Sequence, residues 1–218
     1  MPLSDYALTT IATVEDELGI TPSSEDARVQ RYIHAVSRWL TAPAQMNRTL
    51  QYDAAIAENA AGYGDPYMII DRPPLVGITS IVYDGTTLDA TDYEINDAKA
   101  GIIYFPKGTT WTAPSAAGTI SSMPLPGMER KLYAVTYGGG WWTPQQLVSG
   151  AAPSGVDDLP PEIEDACIQL VSIRRGNRGV NRSIQSEKVL SESVTYFDNP
   201  VPQDVVDVIA SYRRNVLV

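Results

Sequence analysis

Apolar residues recur every three to four positions at both ends of the chain and in short β-type runs in the middle. Behind Thr10, a good N-cap type, Ile11, Val14 and Leu18 fall on one helical face. Gly19 is the C-terminal stop of that helix, and Ile20 is placed to fold back on its last turn. Thr21-Pro22-Ser23-Ser24 reads as a turn and a second cap. Over residues 25–41, Val29, Ile33, Val36 and Leu40 repeat at helical spacing, with Tyr32 and Trp39 on the flank and Pro43 as the stop. The pattern predicts two short antiparallel helices.

From about residue 47 to 140 Gly and Pro become frequent and β-formers cluster. Tyr67-Met68-Ile69-Ile70 is one run. Residues 76–83 form another, closed by Asp84-Gly85, a strong hairpin signal, and followed by Thr86-Thr87-Leu88. Tyr93-Glu94-Ile95, a turn over residues 96–101, Ile102-Ile103-Tyr104-Phe105 and an alternating run over residues 132–137 complete the β set. Residues 112–127 read as a long Pro-rich loop, and residues 143–158 as a second loop.

Helical spacing returns after Leu159-Pro160-Pro161, where Pro sits in the first turn at little cost. Ile163, Ala166, Cys167, Leu170, Val171 and Arg174 follow, and Gly176-Asn177-Arg178-Gly179 ends the helix. Residues 186–197 read as extended or a hairpin. Pro202 opens a last helix with Val205, Val208, Ile209, Tyr212 and Val216. Neither helical pair buries its apolar face unaided. The expected fold class is therefore α+β. Residues 1–45 and 158–218 form a small antiparallel helical bundle, and residues 46–157 form an inserted β-rich sheet or sandwich domain with long loops.

Composition narrows the chemistry. The 218 residues include one Cys and one His, 26 acidic and 16 basic side chains, and a net charge of −10. One cysteine excludes an intrachain disulfide framework and a Cys-rich metal site, and one histidine argues against a His-based metal site or a Ser–His–Asp triad. No apolar run approaches a membrane span, and the N-terminus lacks the regions of a signal peptide, so synthesis in the cytoplasm and no membrane contact are expected. His34 reads as a helix-surface or partly buried structural residue, and Cys167 as an inert thiol on an apolar helix face. No acid–base pair stands out, and Gly138-Gly139-Gly140 matches neither the P-loop nor the dinucleotide fingerprint. These glycines read as a strand end needing close backbone approach or a positive φ. No catalytic residue, cofactor or metal is expected.

Assembly is better represented. Trp141-Trp142 reads as a lid over the β core, with a sugar or partner platform as the other reading. The 12 Tyr against 2 Phe suit half-buried surfaces. Arg174, Arg175, Arg178 and Arg182 sit at and beyond a helix C-terminus, where a salt-bridging subunit interface is preferred over nucleic acid for so acidic a chain. Arg213-Arg214 closes the last helix, and the tail Asn215-Val216-Leu217-Val218 is apolar.

The order of short segments along the chain resembles the head–tail connector (adaptor) proteins of tailed phages. The likeness runs through Leu8-Thr9-Thr10, Glu17-Leu18-Gly19-Ile20, Ser24-Glu25-Asp26-Ala27-Arg28 and Tyr32-Ile33 to Ser37-Arg38-Trp39. It continues in Arg72-Pro73-Pro74-Leu75-Val76, Ile78-Thr79-Ser80-Ile81, Tyr83-Asp84-Gly85, Asp92-Tyr93 and Val135-Thr136-Tyr137 to Gly139-Gly140-Trp141. It ends in Leu159-Pro160-Pro161, Ile163, Ala166, Arg174-Arg175, Gly179, Glu187-Lys188, Ser193-Val194-Thr195-Tyr196 and Tyr212-Arg213-Arg214. Each segment is a packing or turn pattern, and the ordered set carries the likeness. The chain departs from the family in residues 43–45, 115–126 and 148–153.

The resemblance implies a structural protein of a virion neck, or of a phage-like particle, that forms a homo-oligomeric ring of about twelve copies. The portal protein and a stopper or tail-completion protein are the implied partners, with DNA passing through the centre without specific binding. By family analogy Tyr212, Arg213, Arg214, Asn215, Val216, Leu217 and Val218 dock on the portal. Acidic residues of the first two helices facing Arg174, Arg175, Arg178 and Arg182 of a neighbour would suit the ring interface. In such a ring the charge sums to about −120 before counterions, which suits a channel wall that repels phosphate. The alternatives are a glycan- or protein-binding β module on a helical support, an acidic hydrolase with two carboxylates, and another neck component.

Overall fold

A computed structural model describes residues 3–61, 66–83, 85–105, 132–176, 186–189, 192–195 and 201–214. Helix α1, Ile11–Glu17, is capped by Thr10, whose Oγ1 accepts from the Thr13 N–H at 3.1 Å. At its other end Gly19 takes φ +58° and the Ile20 N–H donates to the Glu15 carbonyl at 2.8 Å, burying Ile20. Both ends follow the sequence reading. Helix α2, Asp26–Thr41, buries Val29, Ile33, Val36 and Leu40 as their spacing requires. Its expected serine cap is absent: Glu25 occupies the N-cap position without a side-chain cap bond, while Ser23 is spent on a turn at φ +65°.

The residues read as a second loop contain a helix, α3, Pro144–Ser149. Thr143 and Gln146 form a reciprocal capping box and Pro144 opens the first turn. Helix α4, Pro161–Gly176, carries Glu162 and Glu164 in its first turn and Arg174 and Arg175 in its last, matching the backbone dipole at both ends. It buries Ile163, Ala166, Cys167, Leu170 and Val171. Strands β8, Ser186–Val189, and β9, Glu192–Thr195, pair antiparallel. Helix α5, Gln203–Tyr212, starts after Pro202 and buries Val205. The sequence reading carried this helix on to Val216, but it stops at Tyr212, where Arg213 turns extended; Val216 itself lies outside the described residues.

Strand β1, Asp53–Ala61, was not legible in the sequence, because Ala, Asn and Glu are poor strand formers. It exists because it lies along β7, Leu132–Gly139, from Asp53 opposite Gly139 to Ala61 opposite Leu132. β3, Leu75–Tyr83, flanks β7 on the other side and turns through Gly85 at φ +76° into β4, Thr86–Thr87. The sheet order is β1-β7-β3-β4, and all pairs are antiparallel. Asp84 of the expected hairpin lies outside the described residues, as does the expected loop over residues 112–127. A three-stranded antiparallel sheet has the order β2-β6-β5, with β2 Tyr67–Ile69, β5 Glu94–Asp97 and β6 Ile102–Tyr104.

The fold is thus α+β, with five helices and antiparallel sheets among the described residues. The chain divides into two units. One comprises Met1–Arg48, Thr143–Ala152 and Asp158–Val218; the other comprises Thr49–Trp142 and Pro153–Asp157. In the first, α2 packs on α4, α1 on both, and α5 on α4. In the second, Ala60, Met68, Ile70, Leu75, Ile81, Ile103, Tyr133, Val135 and Tyr137 form one core drawn from both sheets. Gly140, at φ +99°, closes this unit against the 50–51 segment. A Cβ there would lie 2.4 Å from the Gln51 carbonyl oxygen, so only glycine fits.

Candidate functional site

The C-terminal end of α5 is where the family resemblance puts the expected docking segment. Tyr212 ends the helix, and its hydroxyl donates to a carboxylate oxygen of Glu162 at the start of α4. That bond joins positions 50 residues apart. It holds the Glu162 carboxyl below its ordinary range, while burial and then the Glu162 acceptor and charge push the Tyr212 phenol up to about 12. Arg213 leaves the helix in an extended conformation with its side chain exposed. The Arg214 N–H then donates to the Met46 carbonyl at 2.9 Å. Arg48, two residues beyond Met46, has its guanidinium brought down to about 10, by burial first and then by repulsion from Arg214. At neutral pH this corner therefore holds the guanidiniums of Arg48, Arg213 and Arg214, an ionised Glu162 carboxylate and a protonated Tyr212 phenol. It is a set of fixed charges and donors with no group poised to exchange a proton. Asn215, Val216, Leu217 and Val218 lie outside the described residues.

The second expected cluster is divided. Arg174 is exposed at the end of α4. Arg175 directs its Nε to Glu25 Oε2 at 3.5 Å, and Glu25 also takes Arg28 Nη1 at 3.2 Å. Burial works against the Glu25 charge, but the two arginines outweigh it and lower its carboxyl pKa. The acidic partner that the sequence reading sought on a neighbouring subunit is, for Arg175, supplied by its own chain. Arg178 and Arg182 lie outside the described residues.

Trp141 and Trp142 are fixed through their backbone. Trp141 donates its N–H to Leu50 and accepts from the Tyr52 N–H, and Trp142 donates to Asp157. The Trp142 ring leans on Tyr52 with centroids 5.8 Å apart, and both tryptophans are half-buried. His34 accepts the Ser4 N–H on Nε2 at 3.1 Å, and its ring meets Tyr6 at 5.4 Å. Cys167 is fully buried, 3.9 Å from the Ser37 hydroxyl, and burial pushes its thiol up to about 12, so the thiolate needed of a nucleophile is absent at neutral pH. Among the described residues no group of three His, Cys, Asp or Glu side chains is placed to hold a metal ion.

No family model and no curated protein matches the chain.

Two arrangements were not anticipated from the sequence. In the β unit the buried Tyr137 hydroxyl donates to Glu58 Oε2 at 2.6 Å and accepts the Arg72 N–H at 3.0 Å, while Glu58 also accepts the Asp71 N–H. Burial, then the hydrogen bond and charge of Glu58, raise the phenol far above its ordinary value, so this network is a structural staple. The second is exposed apolar surface: Tyr67 and Ile69 on β2, Ile95 on β5, and Leu147 and Val148 on α3. The apolar character of Tyr67-Met68-Ile69 on both faces was the available signal, since a strand with one wet face alternates. No helix among the described residues is long and apolar enough to cross a membrane.

Proposed function

We propose that the chain is a structural head–tail adaptor of a tailed-phage neck or phage-like particle. In this reading it assembles as a ring under the portal and joins the portal to the next neck component, while DNA passes through the centre. The observation that carries the reading is the ordered set of family-like segments from Leu8 to Arg214. Several of these segments mark joints of the fold: Gly19 ends α1, Gly140 closes the β unit, Pro161 opens α4, and Tyr212 to Arg214 are tied back to Glu162 and Met46.

In this reading the helical unit, which includes residues 143–152, takes the role of the antiparallel bundle, and the β unit that of the inserted domain. The Tyr212–Glu162 and Arg214–Met46 contacts support portal docking through residues 212–218, because a docking tail needs a fixed root to limit the ordering cost of binding. Exposed Arg174 remains available for a subunit contact, whereas Arg175 is engaged by Glu25. The role is architectural rather than catalytic, with the net charge of −10 per copy keeping passing DNA unbound.

Electron microscopy of the protein mixed with its portal tests the reading. A ring of about twelve copies seated on the portal is expected, as a heterologous interface that closes requires. A monomer that ignores the portal overturns it.

A further inference from the structure

The outer face of the β2-β6-β5 sheet breaks the rule that a sheet with one buried face shows polar residues on the other. Met68 and Ile103 point into the core. On the opposite face the register sets Tyr67 beside Tyr104 and Ile69 beside Ile102. Tyr67 is 49% and Ile69 57% exposed. On β5, Glu94 lies opposite Tyr104 and Asp97 opposite Ile102, and both are exposed. Two tyrosines and two isoleucines are therefore flanked along one side by two carboxylates. Core–rim separation of this kind is that of a protein interface.

We propose that this face docks a partner protein that presents an apolar protrusion edged with Lys or Arg on the side that meets β5. The inference rests on the adaptor reading, within which it assigns the β unit to the neck component that follows the adaptor. Glu94 and Asp97 call for a cationic edge. A second copy offering this same face brings carboxylates rather than a cationic edge, so it is an unfavourable occupant. A glycan is disfavoured because a sugar needs an uncovered aromatic face, while the rings of Tyr67 and Tyr104 lean on each other with centroids 5.2 Å apart and a 33° interplanar angle.

The test uses the full chain, its portal and the purified stopper or tail-completion protein of the same particle. Tyr67→Ala with Ile69→Ser removes the apolar centre, and Glu94→Lys with Asp97→Lys reverses the edge. All four sites are exposed, and unchanged thermal unfolding verifies the fold of each variant. Each pair is expected to leave ring formation and portal attachment as in wild type and to weaken binding of the next component roughly tenfold to a hundredfold. The charge reversal should also invert the salt dependence of that binding, because like charges then face each other. Wild-type affinity in both variants overturns the proposal. So does loss of self-association, which would make the face a subunit contact, and so does retention of wild type on surface polysaccharide that the variants lose. A wild-type protein that ignores the portal overturns the adaptor reading and this inference together. That outcome is visible before any variant is made, so the two failures are distinguishable.

Discussion

The helical unit and the β unit are specified by different kinds of information. In the helical unit, α1 carries its own start at Thr10 and stop at Gly19, α2 and α4 carry their buried faces at helical spacing, and α3 carries a capping box. In the β unit, the nine-residue strand β1 carries no such mark. Its Ala-, Asn- and Glu-rich sequence becomes a strand because β7, more than 70 positions away, offers a ladder of unpaired backbone groups. Local signals end where the partner of a backbone N–H is chosen by tertiary structure.

That contrast can be broken or sharpened by substitution. The largest effect is expected from Ile33→Ala, at a fully buried position of α2, costing about 2–5 kcal/mol. Chemical denaturation measures it, and a loss under 1 kcal/mol would mean that the α2 face is not the core of its unit. Gly140→Ala comes next. The positive φ alone costs about 1–3 kcal/mol, and the clash with the Gln51 carbonyl adds to it. A variant as stable as wild type would show that the 50–51 segment is not closed on this glycine.

Tyr137→Phe tests the β staple. It strips the Arg72 N–H and Glu58 of one partner while keeping the ring, for about 1–3 kcal/mol. Hydrogen exchange at Arg72 should accelerate in the variant, and unchanged exchange would count against the network. Thr143→Ala removes the α3 cap for about 1 kcal/mol, readable as lost helicity over residues 144–149. Thr143 Oγ1 also donates to the Asp5 carbonyl, so the N-terminal segment should loosen with it.

The smallest effect is a pH dependence. His34 must be neutral at Nε2 to accept the Ser4 N–H, and its pKa lies below 6.5, through burial first and then the charge of Arg38. A lowered folded-state pKa means that the unfolded chain binds the proton more readily. The stabilisation is therefore complete above about pH 6.5 and is lost as pH falls through the folded pKa. Unfolding midpoints between about pH 7.5 and 5.5 should fall more steeply in wild type than in His34→Gln. Parallel slopes would show that the contact does not titrate.

Much of the fold was legible because its signals are local. Hydrophobic spacing located α1, α2, α4 and α5, and β-formers with turn residues located β2, β3, β4, β6 and β7. The Thr143-Pro144-Gln145-Gln146 box was readable too, and its brevity hid it inside a Pro- and Ala-rich stretch. The candidate site was less legible. Sequence marks Tyr212, Arg213 and Arg214 as the end of an amphipathic helix, but nothing in it pairs Tyr212 with Glu162 or brings Arg214 to Met46. It likewise marks Arg174 and Arg175 as equals, although one is exposed and the other is held by Glu25.

The sequence by itself determined the α+β class, the order of most elements and the Thr10 cap and Gly19 stop of α1, because these rest on local spacing and local turns, and it fixed the net charge of −10, which is a plain sum over the chain. Only the tertiary structure decided the strand character of β1, the Tyr137–Glu58–Arg72 staple, the ion pair of Arg175, and the apolar outer face flanked by Glu94 and Asp97. Each of these is a pairing between distant positions. Its free energy belongs to the pair, so neither residue read alone announces it.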